Sequence, residues 1–89
     1  MFVSVILFKS KSCSLCGPVE LAYKSVIELY RDKIKSEIVD ITENIQKAID
    51  NGVMSVPTVI FFKNDKEVKR FSGVVSKEKI EQTVKEWII

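Results

Sequence analysis

The chain has two cysteines, and only two residues separate them in the segment C-S-L-C from Cys13 to Cys16. The pair follows an apolar run at residues 2–8 and precedes an apolar pattern of helical period. Two thiols one helical turn apart can close a disulfide on each other, and a C-x-x-C motif beside a strand–helix–strand pattern is typical of an intracellular redox site. The spacing therefore predicts reversible thiol–disulfide exchange.

The position of each cysteine relative to the helix predicts its role. Cys13 lies at the helix start, where unpaired N–H groups and the positive end of the helix dipole favour a thiolate. That thiolate would attack a disulfide of a partner, and Cys16, one turn further and more buried, would then displace the partner as a thiol. Lys9 and Lys11 lie just upstream and are candidate stabilisers of the Cys13 anion, the alternative being that they are ordinary solvated lysines.

The hydrophobic patterns predict the elements that must position the pair, in the order βαβαββα. The predicted strands are residues 2–8, 37–41, 57–62 and 67–71. A long helix is predicted at about 15–32, and a last helix after a Ser76 cap. Between them a helix capped by Thr42 is expected to stop at residues 51–52 and to bury Ile45, Ala48 and Ile49.

These elements define a fold class. A right-handed βαβ crossover makes the first two strands parallel, and a tight turn at Asn64 makes the last two antiparallel. The first strand is apolar except for Ser4, which places it in the middle of the sheet. The expected fold is α/β, a four-stranded mixed sheet with helices on both faces, forming one domain over residues 1–89.

Composition, charge and hydropathy narrow the possible partners. With 46% hydrophobic and 29% charged residues, the chain resembles an ordinary globular protein with one core. The formal net charge is only +2 and no basic patch stands out, so nucleic acid is not the expected partner. No stretch reaches the roughly 20 apolar residues of a membrane span, and the first apolar run lacks the flanks of a signal peptide. We therefore expect a cytoplasmic monomer with no membrane partner.

Three motifs together resemble the thioredoxin and glutaredoxin superfamily: C-S-L-C-G-P at 13–18 after a strand, S-V-P-T at 55–58 opening a strand, and a glycine loop at 71–77. The resemblance covers nearly the whole chain and fits best the small archaeal-type and glutaredoxin-like members. It implies a minimal thioredoxin fold and a thiol–disulfide oxidoreductase that reduces protein disulfides. It also implies that a thioredoxin-reductase-like or glutathione-linked donor returns the electrons, and that no cofactor is needed beyond the Cys13–Cys16 disulfide.

The resemblance also implies roles for residues outside the cysteine motif. Val56-Pro57 would be a cis peptide lying against the cysteines, which leaves the main chain of Val56 free to pair with an extended partner segment. Thr58 belongs to the same substrate-binding motif. Gly73 would line the other side of the groove, where a side chain would obstruct the partner.

The chain departs from the superfamily pattern at several positions. Leu7 stands six residues before Cys13, where a buried acid is usual, so water or the thiols themselves must accept the Cys16 proton. Ser12 replaces the usual Trp of thioredoxins, and Ser-Leu replaces their Gly-Pro between the cysteines. The loop at 72–76 lacks the acid of a glutathione site.

Two other functions compete with catalysis. One is a binding module on the same fold whose cysteines no longer turn over, since fold alone does not define function. The other is a carrier of a metal or an iron–sulfur cluster. Because the chain has two cysteines and no histidine, it would have to dimerise or recruit an external thiol to complete a four-ligand site, and we expect no metal.

Overall fold

The computed structural model describes residues 3–88, which form seven elements in the predicted order. The strands are β1 (Val3–Lys9), β2 (Ile34–Asp40), β3 (Thr58–Lys63) and β4 (Lys66–Ser72). The helices are α1 (Cys16–Tyr30), α2 (Ile45–Asp50) and α3 (Lys77–Ile88). The strand order is β2-β1-β3-β4, with β1 and β2 parallel and the other pairs antiparallel. The predicted four-stranded mixed sheet is confirmed, and the predicted strand residue Phe2 lies outside the described residues.

Strand β1 lies in the interior of the sheet because its side chains are apolar on both faces. Leu7 and Val5 point to the face that α1 and α3 cover, and both are almost fully buried. Phe8 points to the opposite face, where it packs with Ala48 of α2 and Ile60 of β3. Helices therefore cover both faces, and burial of these side chains supplies most of the driving force for folding.

Helix α1 packs on the sheet through one apolar stripe. Its buried residues are Cys16, Val19, Tyr23 and Val26, a spacing that follows the helical period. The hydroxyl of Tyr23 lies 3.0 Å from the carbonyl oxygen of Val5 and 2.8 Å from that of Glu37. Helix α1 is thus tied to β1 and β2, so the first turn that carries Cys16 has a defined position on the sheet.

Helix α2 differs from its prediction in both its cap and its buried face. Asn44 caps the helix by accepting a hydrogen bond of 3.2 Å from the backbone N–H of Lys47, whereas the Thr42 hydroxyl donates to Asp40. Ile45 and Ile49 are about 60% exposed, and Ala48 is the buried residue. The turn closed on Asp40 delays the helix start, and the six-residue helix then packs through its smallest side chain.

The C-terminal part follows the prediction more closely. Asn64 and Asp65 have positive φ values of 52° and 69°, which is the backbone of a two-residue hairpin turn between β3 and β4. Ser76 caps α3 by accepting a hydrogen bond of 3.2 Å from the N–H of Lys79. Ile80 and Val84 are buried against α1 and the sheet.

Candidate redox site

The sheet register brings the three predicted site segments to one end of the molecule. Phe8 near the end of β1 lies opposite Thr58 at the start of β3, and Thr58 lies opposite Ser72 at the end of β4. The segments that continue from these positions are therefore neighbours: residues 10–15 with Cys13, the Val56–Pro57 segment, and Gly73. The N–H of Gly73 donates a hydrogen bond of 2.8 Å to the carbonyl oxygen of Pro57, which joins two of these segments directly.

The two cysteines form a disulfide at the start of α1, with 5.4 Å between their Cα atoms. Cys13 lies in the preceding turn and is partly exposed, whereas Cys16 is the first residue of the helix and is only 2% exposed. The backbone N–H of Cys16 donates to the carbonyl oxygen of Cys13 at 3.3 Å. In the oxidised state an attacking group can therefore reach Cys13 more readily than Cys16.

The beginning of α1 is electrostatically suited to a thiolate. Leu15, at the N-cap, provides no side-chain acceptor, and the first turn contains no acidic residue. Pro18 lies in this turn, where a missing N–H costs little. The positive end of the helix dipole is thus not neutralised by a cap, and it favours the anion of the nearby Cys13 once the disulfide is reduced.

Lys9 and Lys11 both form ion pairs at this end of the sheet. The Lys9 ammonium lies 3.1 Å from Glu20, and the Lys11 ammonium lies 3.0 Å from Glu43. Hydrogen bonds from Lys24, and to a smaller extent from Lys9, lower the pKa of Glu20. The hydrogen bond to Glu43 and the negative charge of Glu43 raise the pKa of Lys11. Stabilisation of the Cys13 anion by either lysine stays a prediction, and a carboxylate already faces each ammonium.

The cis-proline and the residue after it are buried. The Val56–Pro57 peptide bond is cis, and Pro57 is buried. Thr58 is 1% exposed, and its hydroxyl donates to the carbonyl oxygen of Ser55 at 2.8 Å, so this side chain is used inside the segment. Contact of Thr58 with a substrate stays a prediction.

Gly73 has a backbone that favours glycine. Its φ is +96°, in the region that other residues rarely adopt. A Cβ atom at this position would meet no atom within 4 Å. A side chain would therefore project into open space beside the site rather than into the protein.

The surroundings of Leu7 contain no acid. Leu7 is fully buried and lies opposite Ile38 in β2 and Val59 in β3. Within residues 3–88 the buried polar side chains besides Tyr23 are Ser10, Thr58 and Thr83, none of which is a carboxylate. The core around Leu7 is thus apolar, at the position where the resemblance to the superfamily implies a buried acid.

Three exposed apolar side chains lie next to the site segments in the chain; the sequence indicates Met54 as a possible partner contact, with a gap-filling role as the alternative, and assigns no contact to Leu15 or Val74. Leu15 is 56% exposed between the cysteines, Met54 is 96% exposed before the cis-proline, and Val74 is 64% exposed after Gly73. Their positions next to the three site segments are the signal by which they could have been found. We call these three exposed side chains, each next to one of the three site segments in the chain, the apolar rim: Leu15, Met54 and Val74.

Two further features, a metal-ion cluster and a membrane-spanning helix, are not found in the described part of the chain. Residues 3–88 contain no group of three or more histidine, cysteine, aspartate or glutamate side chains arranged to hold a metal ion. None of the helices described is long and apolar enough to cross a membrane.

Comparisons with known proteins agree with this site. The family model for Thioredoxin matches residues 3–86. The thioredoxin of Methanocaldococcus jannaschii is 31% identical over 83 residues, which cover 93% of each chain. A segment amounting to 16% of NADPH-dependent thioredoxin reductase 3 from Arabidopsis thaliana is 28% identical over 82 residues, or 92% of this chain. The structure of thioredoxin 1 from Thermosipho africanus superposes with a TM-score of 0.85 at 26% identity, covering 96% of this chain and 93% of the other.

A four-stranded mixed sheet that presents a C-x-x-C disulfide at a helix start defines the class of thiol–disulfide oxidoreductases. The family match and the relatives identify the member of that class more closely. The chain belongs to the thioredoxin family, and it is a protein-disulfide oxidoreductase that works through the Cys13–Cys16 pair.

Proposed function

We propose that the protein reduces disulfides of partner proteins, with Cys13 as the attacking thiolate and Cys16 as the resolving thiol. The observation that carries this assignment is the difference in burial, since Cys13 is partly exposed and Cys16 is only 2% exposed. The Cys13 thiolate attacks one sulfur of the partner disulfide, and the other sulfur leaves and takes up a proton. Cys16 loses its proton and attacks Cys13, which releases the second partner thiol and leaves the Cys13–Cys16 disulfide.

The substrate is proposed to lie as an extended segment between Val56 and Gly73. The main chain of Val56 would pair with it by strand addition. The open space beside Gly73 leaves room for its main chain, and the apolar rim of Leu15, Met54 and Val74 would contact its apolar side chains. These contacts favour unfolded or flexible protein segments over small, rigid disulfides.

The electron donor is proposed to be a thioredoxin-reductase-like protein, with a glutathione-linked donor as the alternative. The similarity to a segment of a thioredoxin reductase supports the first. The loop at residues 72–76 lacks an acid that would hold glutathione, which disfavours the second. We further propose that the protein works as a cytoplasmic monomer and that the Cys13–Cys16 disulfide is its only redox group.

The roles of the two cysteines are tested with Cys13→Ser and Cys16→Ser, using reduction of insulin by dithiothreitol as the assay. Cys13→Ser should lower the rate to that of dithiothreitol alone. Cys16→Ser, reduced and then freed of dithiothreitol before insulin is added, should accumulate a mixed disulfide between Cys13 and insulin, because the resolving thiol is missing. Ser14→Ala, which changes an exposed residue between the cysteines, is the matched control and should retain activity.

Other results would support the competing functions. Unimpaired insulin reduction by Cys13→Ser would overturn the proposal. An inactive wild-type protein whose disulfide still forms would support a binding module. Stoichiometric iron or zinc in a purified dimer would support a metal or cluster carrier.

A further inference from the structure

Arg70 on the edge strand β4 contacts the main chain that leads into the cis-proline segment. Its Nη2 donates to the carbonyl oxygen of Asn51 at 2.6 Å, and its Nη1 donates to that of Gly52 at 3.1 Å. These two residues follow the last residue of α2, Asp50. Hydrogen bonds from a cation to carbonyl groups at a helix end are charge-assisted and favoured by the helix dipole.

Glu67 holds the Arg70 side chain in this orientation. The Nε and Nη2 groups of Arg70 donate to the two carboxylate oxygens of Glu67, both at 2.8 Å. Hydrogen bonds from Arg70 lower the pKa of Glu67, so the carboxylate stays charged at neutral pH. Four of the five N–H groups of Arg70 are therefore donated within the protein, and the side chain is only 28% exposed.

The main chain between α2 and β3 is held by hydrogen bonds rather than by regular secondary structure. Residues 51–57 contain no helix or strand, and Met54 and Ser55 are exposed. Near its first end, the N–H groups of residues 51–53 donate to carbonyl oxygens of α2, that of Val53 to Ala48 at 2.9 Å. Further along, the Ser55 carbonyl oxygen accepts from the Thr58 hydroxyl at 2.8 Å, and that of Pro57 accepts from the N–H of Gly73. Arg70 thus adds two of the contacts that hold the beginning of this segment.

We infer that Arg70 is a positioning residue for substrate binding: from β4 it holds the segment Val53–Pro57 in the conformation that presents the main chain of Val56. This inference rests on the proposed function, in which Val56 pairs with a protein substrate. A segment held in its binding conformation loses less entropy when the substrate binds. Because Arg70 contacts neither cysteine, its loss should weaken protein binding and leave the thiol chemistry unchanged.

The test compares Arg70→Met, which keeps the apolar stem, with Arg70→Lys, which keeps the charge. Arg31→Met is the matched control, since Arg31 forms an exposed ion pair with Glu28 on α1. For Arg70→Met we expect the KM for insulin to rise about fivefold, which corresponds to the loss of about one net hydrogen bond. Arg70→Lys should lie between Arg70→Met and wild type, and the control should match wild type.

Three further measurements separate positioning from general damage. The rate constant for reducing a small aromatic disulfide and the thiolate pKa, obtained from the pH dependence of alkylation, should not change in Arg70→Met. Amide hydrogen exchange should accelerate at Val53 and Gly73 and stay unchanged in β1. If Arg70→Met is too unstable to assay, Arg70→Lys provides the same comparison.

The possible failures are distinguishable. A wild-type KM for insulin in Arg70→Met would overturn the inference, as would an equal loss of activity toward insulin and the small disulfide. Neither result would affect the proposed function as long as Cys13→Ser is inactive. Full activity of Cys13→Ser would instead overturn the proposed function itself.

Discussion

The Tyr23→Phe substitution tests how α1 is joined to the sheet that carries the redox site. The Tyr23 side chain is 1% exposed, and its hydroxyl lies near two carbonyl oxygens, of Val5 and Glu37, and accepts from the N–H of Glu37 at 3.3 Å. Phenylalanine keeps the ring and removes only the oxygen. We expect the free energy of unfolding to fall by about 1–3 kcal/mol at neutral pH, because buried backbone groups lose a partner.

The same substitution should change the alkaline limb of the stability curve. Burial raises the pKa of Tyr23 well above its usual value. An unfolded tyrosine ionises near pH ~10, so above that pH the unfolded state binds fewer protons than the folded state and stability falls as pH rises. The loss is about 1.4 kcal/mol per pH unit until the folded pKa is reached. Tyr23→Phe has no hydroxyl to ionise and does not lose stability in this way. If its free energy of unfolding is about 2 kcal/mol below that of wild type at neutral pH, the difference should shrink to about 0.6 kcal/mol at one pH unit above the unfolded tyrosine pKa.

The assay is urea denaturation of the oxidised protein, followed by far-ultraviolet circular dichroism from neutral pH to one unit above the tyrosine pKa. Tyr30→Phe is the control, because Tyr30 lies on the same helix, is partly exposed and donates to Glu81 at 3.1 Å. It should show a smaller change on the alkaline limb. If wild type and Tyr23→Phe lose stability in parallel above the tyrosine pKa, the buried hydroxyl does not act as described.

Three further substitutions test other parts of the molecule. Gly73→Ala should lower stability by about 1–2 kcal/mol because of its positive φ, and should raise the KM for insulin; an unchanged KM would contradict the groove assignment. Lys24 and Lys9 lower the pKa of the Glu20 carboxylate, which contributes ~0.5 kcal/mol of stability to wild type at neutral pH. Wild type loses this contribution as the pH falls through the folded pKa, whereas Glu20→Gln lacks it at every pH. Acid denaturation should therefore be less steep in Glu20→Gln, and equal slopes would argue against the ion pair. Leu7→Asp places a carboxyl at a fully buried site, where burial should raise the pKa of the new side chain. The free energy of unfolding should fall by about 4 kcal/mol, and by more at a pH above that pKa, where the carboxyl is charged. A melting temperature independent of pH in that variant would contradict the apolar surroundings.

Short-range sequence patterns were sufficient to predict the fold and the reacting pair. The apolar run at residues 2–8 indicates an interior strand because each face of a central strand must be covered. The stripe that includes Val19, Tyr23 and Val26 indicates one buried helix face, and the hairpin follows from the turn at Asn64 and Asp65. The burial difference between Cys13 and Cys16 follows from the same helix start. These features depend on backbone periodicity and on neighbours close in sequence, so they can be read without tertiary contacts.

The tertiary structure decided the contacts between residues that are distant in the chain. Lys9 and Lys11 resemble free cations in the sequence, but the fold places Glu20 and Glu43 against them. Only the pairing of β4 with β3 and the packing of α2 bring Arg70 to residues 51 and 52, which are 19 and 18 positions away. The sequence by itself indicated the thiol chemistry, because it combines two cysteines one turn apart at a helix start with the S-V-P-T and glycine-loop motifs. The positions of the charges and of the substrate-binding segment depend on which ends of the strands meet, and no local pattern contains that information.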